Sequence, residues 1–218
     1  MLEGLSGVTK VPELTRRILV TLGLLAVYRV GVFIPTPGID KVALLDFFER
    51  FKGSMLGLMD LFAGGALSSF SIFALGIMPY ITASIILNLL TVAVPHLEKL
   101  SKEGETGRRK ITQYTRYGTV VLSIIQGFGI AWGLQQMASP TGAPIVIQPG
   151  WSFILMTIIT LTSGTAFLMW LGETITEKGI GNGISLIIFA GIVCNLPAAI
   201  SNTWRLYTSG ELHFVILL

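Results

Sequence analysis

Three stretches of this chain carry no charged side chain: residues 61–95, 117–172 and 179–204. A helix in water needs a polar face, and these stretches cannot supply one. Their length and apolar character predict helices that cross a bilayer, each crossing taking about 20 residues. Charged residues make up only 12% of the chain, against about a quarter in an ordinary soluble domain. The predicted fold class is therefore an all-α integral membrane protein.

Residues 1–17 are mixed polar and apolar. Leu5, Val8 and Val11 are spaced like one face of a short helix that could lie on a membrane surface; a frayed tail fits equally. The first span is predicted over 18–34 and is interrupted only by Arg29, which sits near one end and can snorkel to the interface. Pro35, Pro37 and Gly38 end it. An external loop over 35–60 contains a short amphipathic helix, with Asp40 as its N-cap.

The next apolar run is too long for one crossing, and it opens with Gly64, Gly65, Ser68, Ser69 and Ser71. Irregular backbone at membrane depth is tolerated only when buried in protein or facing a cavity. The run divides into a short re-entrant helix over 61–70 and a span over 72–94 that Pro79 is expected to kink. A hydrophilic basic loop follows over 95–116. The third span is read at 117–134, an external loop at 135–150, a fourth span at 151–171, a polar turn at 172–183 and a fifth span at 184–204. A loop over 205–212 leads to residues 213–218, which read as the start of a sixth helix. The expectation is of one piece of a longer or split polypeptide.

Lysine and arginine collect in cytoplasmic loops. With the N-terminus inside, the cytoplasmic segments hold Lys10, Arg16, Arg17, Lys99, Lys102, Arg108, Arg109, Lys110, Arg116 and Lys178. The external ones hold only Lys41, Arg50, Lys52 and Arg205. The N-terminus and the 95–116 loop are therefore expected in the cytoplasm.

Chemistry of the usual catalytic kinds is not visible. No Asp, Glu, Lys or His falls near a predicted midplane, where proton relays and ion-coupled transporters place ionisable groups. One cysteine and two histidines cannot build a metal cluster. The Gly-rich run at 179–183 lacks the strand and lysine of a phosphate loop. No enzyme activity, cofactor, metal or direct nucleic-acid binding is expected. Two isoleucine pairs share one spacing, Ile77 with Ile81 and Ile184 with Ile188, each on one helix face. By spacing alone they fit lipid contact or packing as well as a pore. Gln126 and Asn88 are uncharged polar groups in or near spans, suited to interhelical hydrogen bonds.

Three long runs carry a resemblance: LFAGGALSSFSIFALGIMPYITASIILNLL, EGETGRRKITQYTRYGT and FLMWLGETITEKGIGNGISLIIFAGIV. They closely resemble the SecY family, the central subunits of the Sec protein translocase, in the order of that family's first five spans. The resemblance implies five transmembrane helices plus a short re-entrant plug helix, forming one half of a pseudo-twofold inverted-repeat channel. It implies a plug made of Leu61, Phe62, Ala63, Gly64, Gly65, Ala66, Leu67, Ser68, Ser69 and Phe70. It implies a pore ring containing Ile77, Ile81, Ile184 and Ile188, and lateral-gate positions at Thr82 and Gln126. The basic residues Arg108, Arg109 and Lys110 would face cytoplasmic partners or simply set topology.

The implied function is passage of unfolded secretory polypeptides across the membrane and sideways release of membrane helices into lipid. Half of an inverted-repeat small-solute transporter or channel is the alternative. The implied partners are SecE and SecG, a SecA motor or translating ribosome, signal sequences and nascent chains, membrane lipid, and the C-terminal half of the same channel. The implied location is the bacterial plasma membrane.

Overall fold

A computed structural model of the chain describes residues 12–50, 57, 60, 63–137 and 144–208. The proposed surface segment before residue 12, the plug positions Leu61 and Phe62, and the start of a sixth helix at 213–218 lie outside the described residues. Seven α-helices occur among the described residues: α1 Pro12–Val32, α2 Lys41–Arg50, α3 Met78–Ala93, α4 Pro95–Lys102, α5 Glu105–Gln136, α6 Trp151–Lys178 and α7 Gly183–Thr208. The fold is all-α. Two helices, α5 and α6, are each long and apolar enough to cross a membrane, and α3 with α4 would make a third if the bent pair were one span.

Helix α6 is the hub. It packs against α1, α3, α5 and α7, and its buried positions run its whole length, from Phe153 through Leu161 and Leu168 to Ile175. Small residues bring the neighbours close. Gly127 of α5 faces the backbone of Ile158, and Gly164 sits against the carbonyl of Ile72. This is how helices associate where lipid tails offer no hydrophobic gradient between them.

The connecting segments sort to two ends. At one end the backbone of 38–40 pairs with that of 145–147: Asp40 N donates to Ile145 O at 2.9 Å, and Ile147 N to Gly38 O at 3.1 Å. Asp40 also caps α2, its Oδ1 accepting from Val42 N at 2.9 Å and Ala43 N at 3.3 Å. At the other end Thr21 of α1 reaches the turn between α6 and α7. Its hydroxyl donates to Arg17 O and accepts from Ile180 N at 3.1 Å. Arg116 of α5 grips Glu173 of α6 there with a two-pronged contact, at 2.9 and 2.7 Å.

Three expectations change. The basic segment 95–116 is helical rather than a loop. It comprises α4 and the start of α5, separated by a turn at Gly104, whose φ of 74° suits glycine. Its Lys, Glu, Arg and Gln residues are good helix formers, so polarity there reports solvent and not loss of helix. Helix α5 has 32 residues, roughly 48 Å at 1.5 Å each, well beyond a hydrocarbon core of about 30 Å. Arg108, Arg109 and Lys110 stand exposed near its N-terminus.

Pro79 does not kink a span. It occupies the first turn of α3, where its missing N–H removes no helical bond. The sharp bend lies instead between α3 and α4, 100° at Val94–Pro95. Residues 63–77 form consecutive turns rather than a regular helix. Gly64, Gly65 and Gly76 all have positive φ, as does Phe70 at 41°.

Candidate functional site

The turns of 63–77 are built from polar side chains that compete with helical bonding. Asp60 Oδ1 accepts from Leu67 N at 3.0 Å and Ser68 N at 2.8 Å. Gly65 O accepts from the hydroxyl of Ser69 at 2.7 Å and from that of Ser68 at 3.2 Å. At its C-terminal side the segment is tied to the chain leaving α1 by backbone bonds. Thr36 N donates to Phe70 O at 2.8 Å, and Ile72 N to Ile34 O at 3.0 Å. Phe73 then wedges between helices, stacked 6.0 Å from both Tyr28 of α1 and Phe167 of α6.

All four isoleucines of the sequence-predicted ring belong to one apolar cluster. Ile77 is buried in it beside Tyr28, Phe73, Leu168 and Ile187, and Ile81, Ile184 and Ile188 pack against it. Ile77 is the N-cap residue of α3, and its carbonyl accepts from Ile81 N at 3.1 Å. Helix α7 begins after Asn182, whose Oδ1 accepts from Ser185 N at 3.2 Å.

A cavity of about 790 Å³ opens beside this cluster. Ile77, Ile81 and Ile188 line it. So do Thr82 and Gln126, and so do Ala63, Leu67 and Phe70 of the irregular segment. Among the described residues that line it none is charged, and the polar side chains are those of Tyr28, Thr82 and Gln126. The hydroxyl of Thr82 donates to Met78 O at 3.0 Å, so it is satisfied within its own helix.

Ile184 does not line the cavity; it packs over Gly172 of α6, its Cδ1 2.6 Å from where a Cβ would stand. Arg108, Arg109 and Lys110 also lie apart from the cavity lining. The remaining plug positions, Gly64, Gly65, Ala66, Ser68 and Ser69, shape the segment without lining the cavity.

Among the contributors that sequence reasoning missed are Tyr28, Leu168 and Ile187, which line the cavity, and Phe73, which is buried in the cluster beside it. Each is an apolar or aromatic residue in an apolar run, with no local signal of its role. Arg29 did carry a signal, a lone charge in an apolar run, but its reading changes. It does not simply reach for the interface. Its Nη1 donates to Gly64 O at 2.8 Å.

The cavity and its lining fall within a region of known kinship. The SecY family model matches residues 71–218. The SecY translocase subunit of Escherichia coli K12 is 57% identical over 206 residues, covering 94% of this chain and 46% of that protein. The subunit of Aquifex aeolicus is 48% identical over 219 residues, covering 100% of this chain and 51% of its own. The chain thus spans about half the length of the curated relatives it matches. Among solved structures, Sec61 in a canine ribosome–channel complex from the endoplasmic reticulum and a protein-conducting channel each match with a TM-score of 0.59 at 17% identity. Each match covers 82% of this chain and 36% of the other, and at that identity the likeness is one of fold. With a family match over residues 71–218 and half-identical relatives along nearly its whole length, the chain belongs to the SecY family.

Proposed function

We propose that this chain is one shell of a protein-conducting channel. It would pass unfolded secretory polypeptides across a bacterial plasma membrane and release membrane helices sideways into lipid. Five crossings with a cytoplasmic N-terminus fit the way the connecting segments sort to two ends of the bundle. The other shell would be the C-terminal half of the same channel, with SecE, SecG and a SecA motor or ribosome as partners.

The observation that carries this reading is that residues of all three parts implied by the resemblance line one apolar cavity: ring residues Ile77, Ile81 and Ile188, gate residues Thr82 and Gln126, and plug residues Ala63, Leu67 and Phe70. An isoleucine collar resists wetting and so resists ion leakage. It also offers no hydrogen bonds, so extended chains of any sequence can slide through. Sideways release is a partition. Each central Leu, Ile, Phe or Val favours lipid by about 0.3–0.6 kcal/mol, whereas a central Lys, Arg or Asp costs about 2.5–3.5.

A crosslink tests it. Cys194 is the single cysteine, so Cys194→Ala gives a clean background. A cysteine is then placed at Ile81, at Ile188, or at the exposed Leu155 of α6, in the chain assembled with the other half. A secretory polypeptide with one cysteine is stalled in transit and oxidised. Disulfides from Ile81 and Ile188 but not from Leu155 are expected. Silence from both isoleucines, in an assembly that exports protein, means the polypeptide runs elsewhere.

A further inference from the structure

The irregular segment is held differently at its two sides. At residues 70–72 it is joined to the chain after α1 by backbone bonds, Thr36 N to Phe70 O and Ile72 N to Ile34 O. At residues 63–64 it is held by two side chains of α1. Arg29 Nη1 donates to Gly64 O at 2.8 Å, and the Tyr28 hydroxyl donates to Ala63 O at 3.3 Å. The Arg29 guanidinium also sits 5.0 Å over the ring of Phe33, which fixes its place.

The seat is shaped for this contact. Gly64 has φ +66°, and a Cβ added there would stand 2.9 Å from Gly191 Cα and 3.1 Å from Tyr28 Oη. Gly64 therefore lies close against Gly191 of α7, with its own carbonyl and that of Ala63 accepting from side chains of α1. A charge-assisted bond to a carbonyl is roughly twice as strong as a neutral one, and the surrounding cluster of Tyr28, Ala66, Phe73 and Ile187 is apolar.

We propose that Arg29 is the positioning residue that latches the 63–68 turn in its seat, with the backbone pairing at 70–72 as the hinge. This rests on the plug reading above for its consequence, a sealed resting channel, but not for the latch itself. Opening then needs the Arg29 bond, the stronger of the two that α1 makes to residues 63–64, broken along with that of Tyr28, while the hinge keeps the turn beside the cavity.

The test uses the full channel, both halves assembled in lipid nanodiscs, with Arg29→Met and Arg29→Lys. Amide hydrogen exchange is followed at Leu67 and Ser68, and resting ion conductance is measured in parallel in planar bilayers. Arg29→Met should speed exchange at those two amides by about tenfold, the loss of one bond to a charged donor. Arg29→Lys, which keeps the charge on a single donor head, should fall between. Exchange in the middle of α5 should not change, which shows that the bundle is intact. Exchange at Leu67 and Ser68 that stays at the wild-type rate in Arg29→Met overturns the latch. Faster exchange together with raised resting conductance, restored partly by Arg29→Lys, is the expected result. Faster exchange with unchanged conductance keeps the latch and sinks the plug reading instead.

Discussion

Helix α6 and the irregular segment 63–77 touch each other, yet they are held by opposite means. Helix α6 is fixed by shape. Its buried face packs four other helices, and the hydroxyls of Thr157 and Thr165 are buried without a partner among the described residues. The segment is fixed by directional bonds from Asp60, Ser69, Tyr28 and Arg29 to backbone groups. Close packing of many small contacts has no single point of release. A turn held by a few polar bonds among apolar neighbours has several, and each is strong while intact. On the proposed reading, α6 is the scaffold and 63–70 the part that moves.

The largest predicted effect attacks the boundary between them. Gly164 of α6 is buried, and a side chain there would run into the carbonyl of Ile72 and the ring of Phe73. Backbone cannot swing aside as a flexible side chain can. Gly164→Val is expected to cost about 3 kcal/mol, the upper part of the range for overpacked sites. The measurement is the midpoint of denaturant unfolding followed by tryptophan fluorescence. A midpoint that does not move means the segment yields at little cost, and the division into a rigid hub and a movable turn collapses.

Asp60→Ala comes next. It strips the acceptor from Leu67 N and Ser68 N, each left to find water or go unpaired. The expected loss is about 1–3 kcal/mol, confined to the turn. Faster exchange at those two amides with an unchanged global midpoint is the signature of a separately held unit. Asp60→Asn keeps a side-chain oxygen and should lose less. A global midpoint that falls with Asp60→Ala as far as with Gly164→Val would make the turn part of the scaffold.

The scaffold was largely legible in the sequence, because charge-free runs leave a helix nowhere to go but into lipid or protein. The glycines and serines at 64–71 pointed to a broken, re-entrant piece, but one expected to be a short helix over 61–70, where the described residues form turns. What sequence could not show was where long-range partners meet. Arg29 and Gly64 lie 35 residues apart, so nothing local separates a snorkelling arginine from a latch. Pro79 was expected to kink a helix because the chain before it reads as apolar. The turns through Gly76, at φ +56°, deliver the chain so that the helix starts at Met78. Ile184 has the spacing of its three fellows, but the closeness of Gly172 draws it against α6. Helix through 105–116 was hidden because a polar helix and a polar loop have similar composition, and the difference lies in the single break at Gly104.

The smallest predicted effect sharpens the comparison from outside it. Helix α4 carries an exposed ion pair, Lys102 Nζ to Glu98 Oε1 at 2.6 Å, one helical turn apart. The hydrogen bond from Lys102, and then its charge, hold the Glu98 carboxyl below its ordinary value of 4.5. A carboxylate with a depressed folded-state pKa contributes stability that is fully present above 4.5 and is lost as pH falls through the lower, folded value. Here water competes for both partners, and holding two long side chains together costs entropy. Lowering the pH from neutral to below that window should therefore loosen the amides of α4 slightly more in the native protein than in Glu98→Gln, while leaving the exchange of Leu67 and Ser68 in the same ratio between the two. A larger response at α4 than Asp60→Ala produces at the 63–68 turn would reverse the lesson. It would mean that polar bonds count by their length alone and not by whether apolar neighbours deny the backbone another partner.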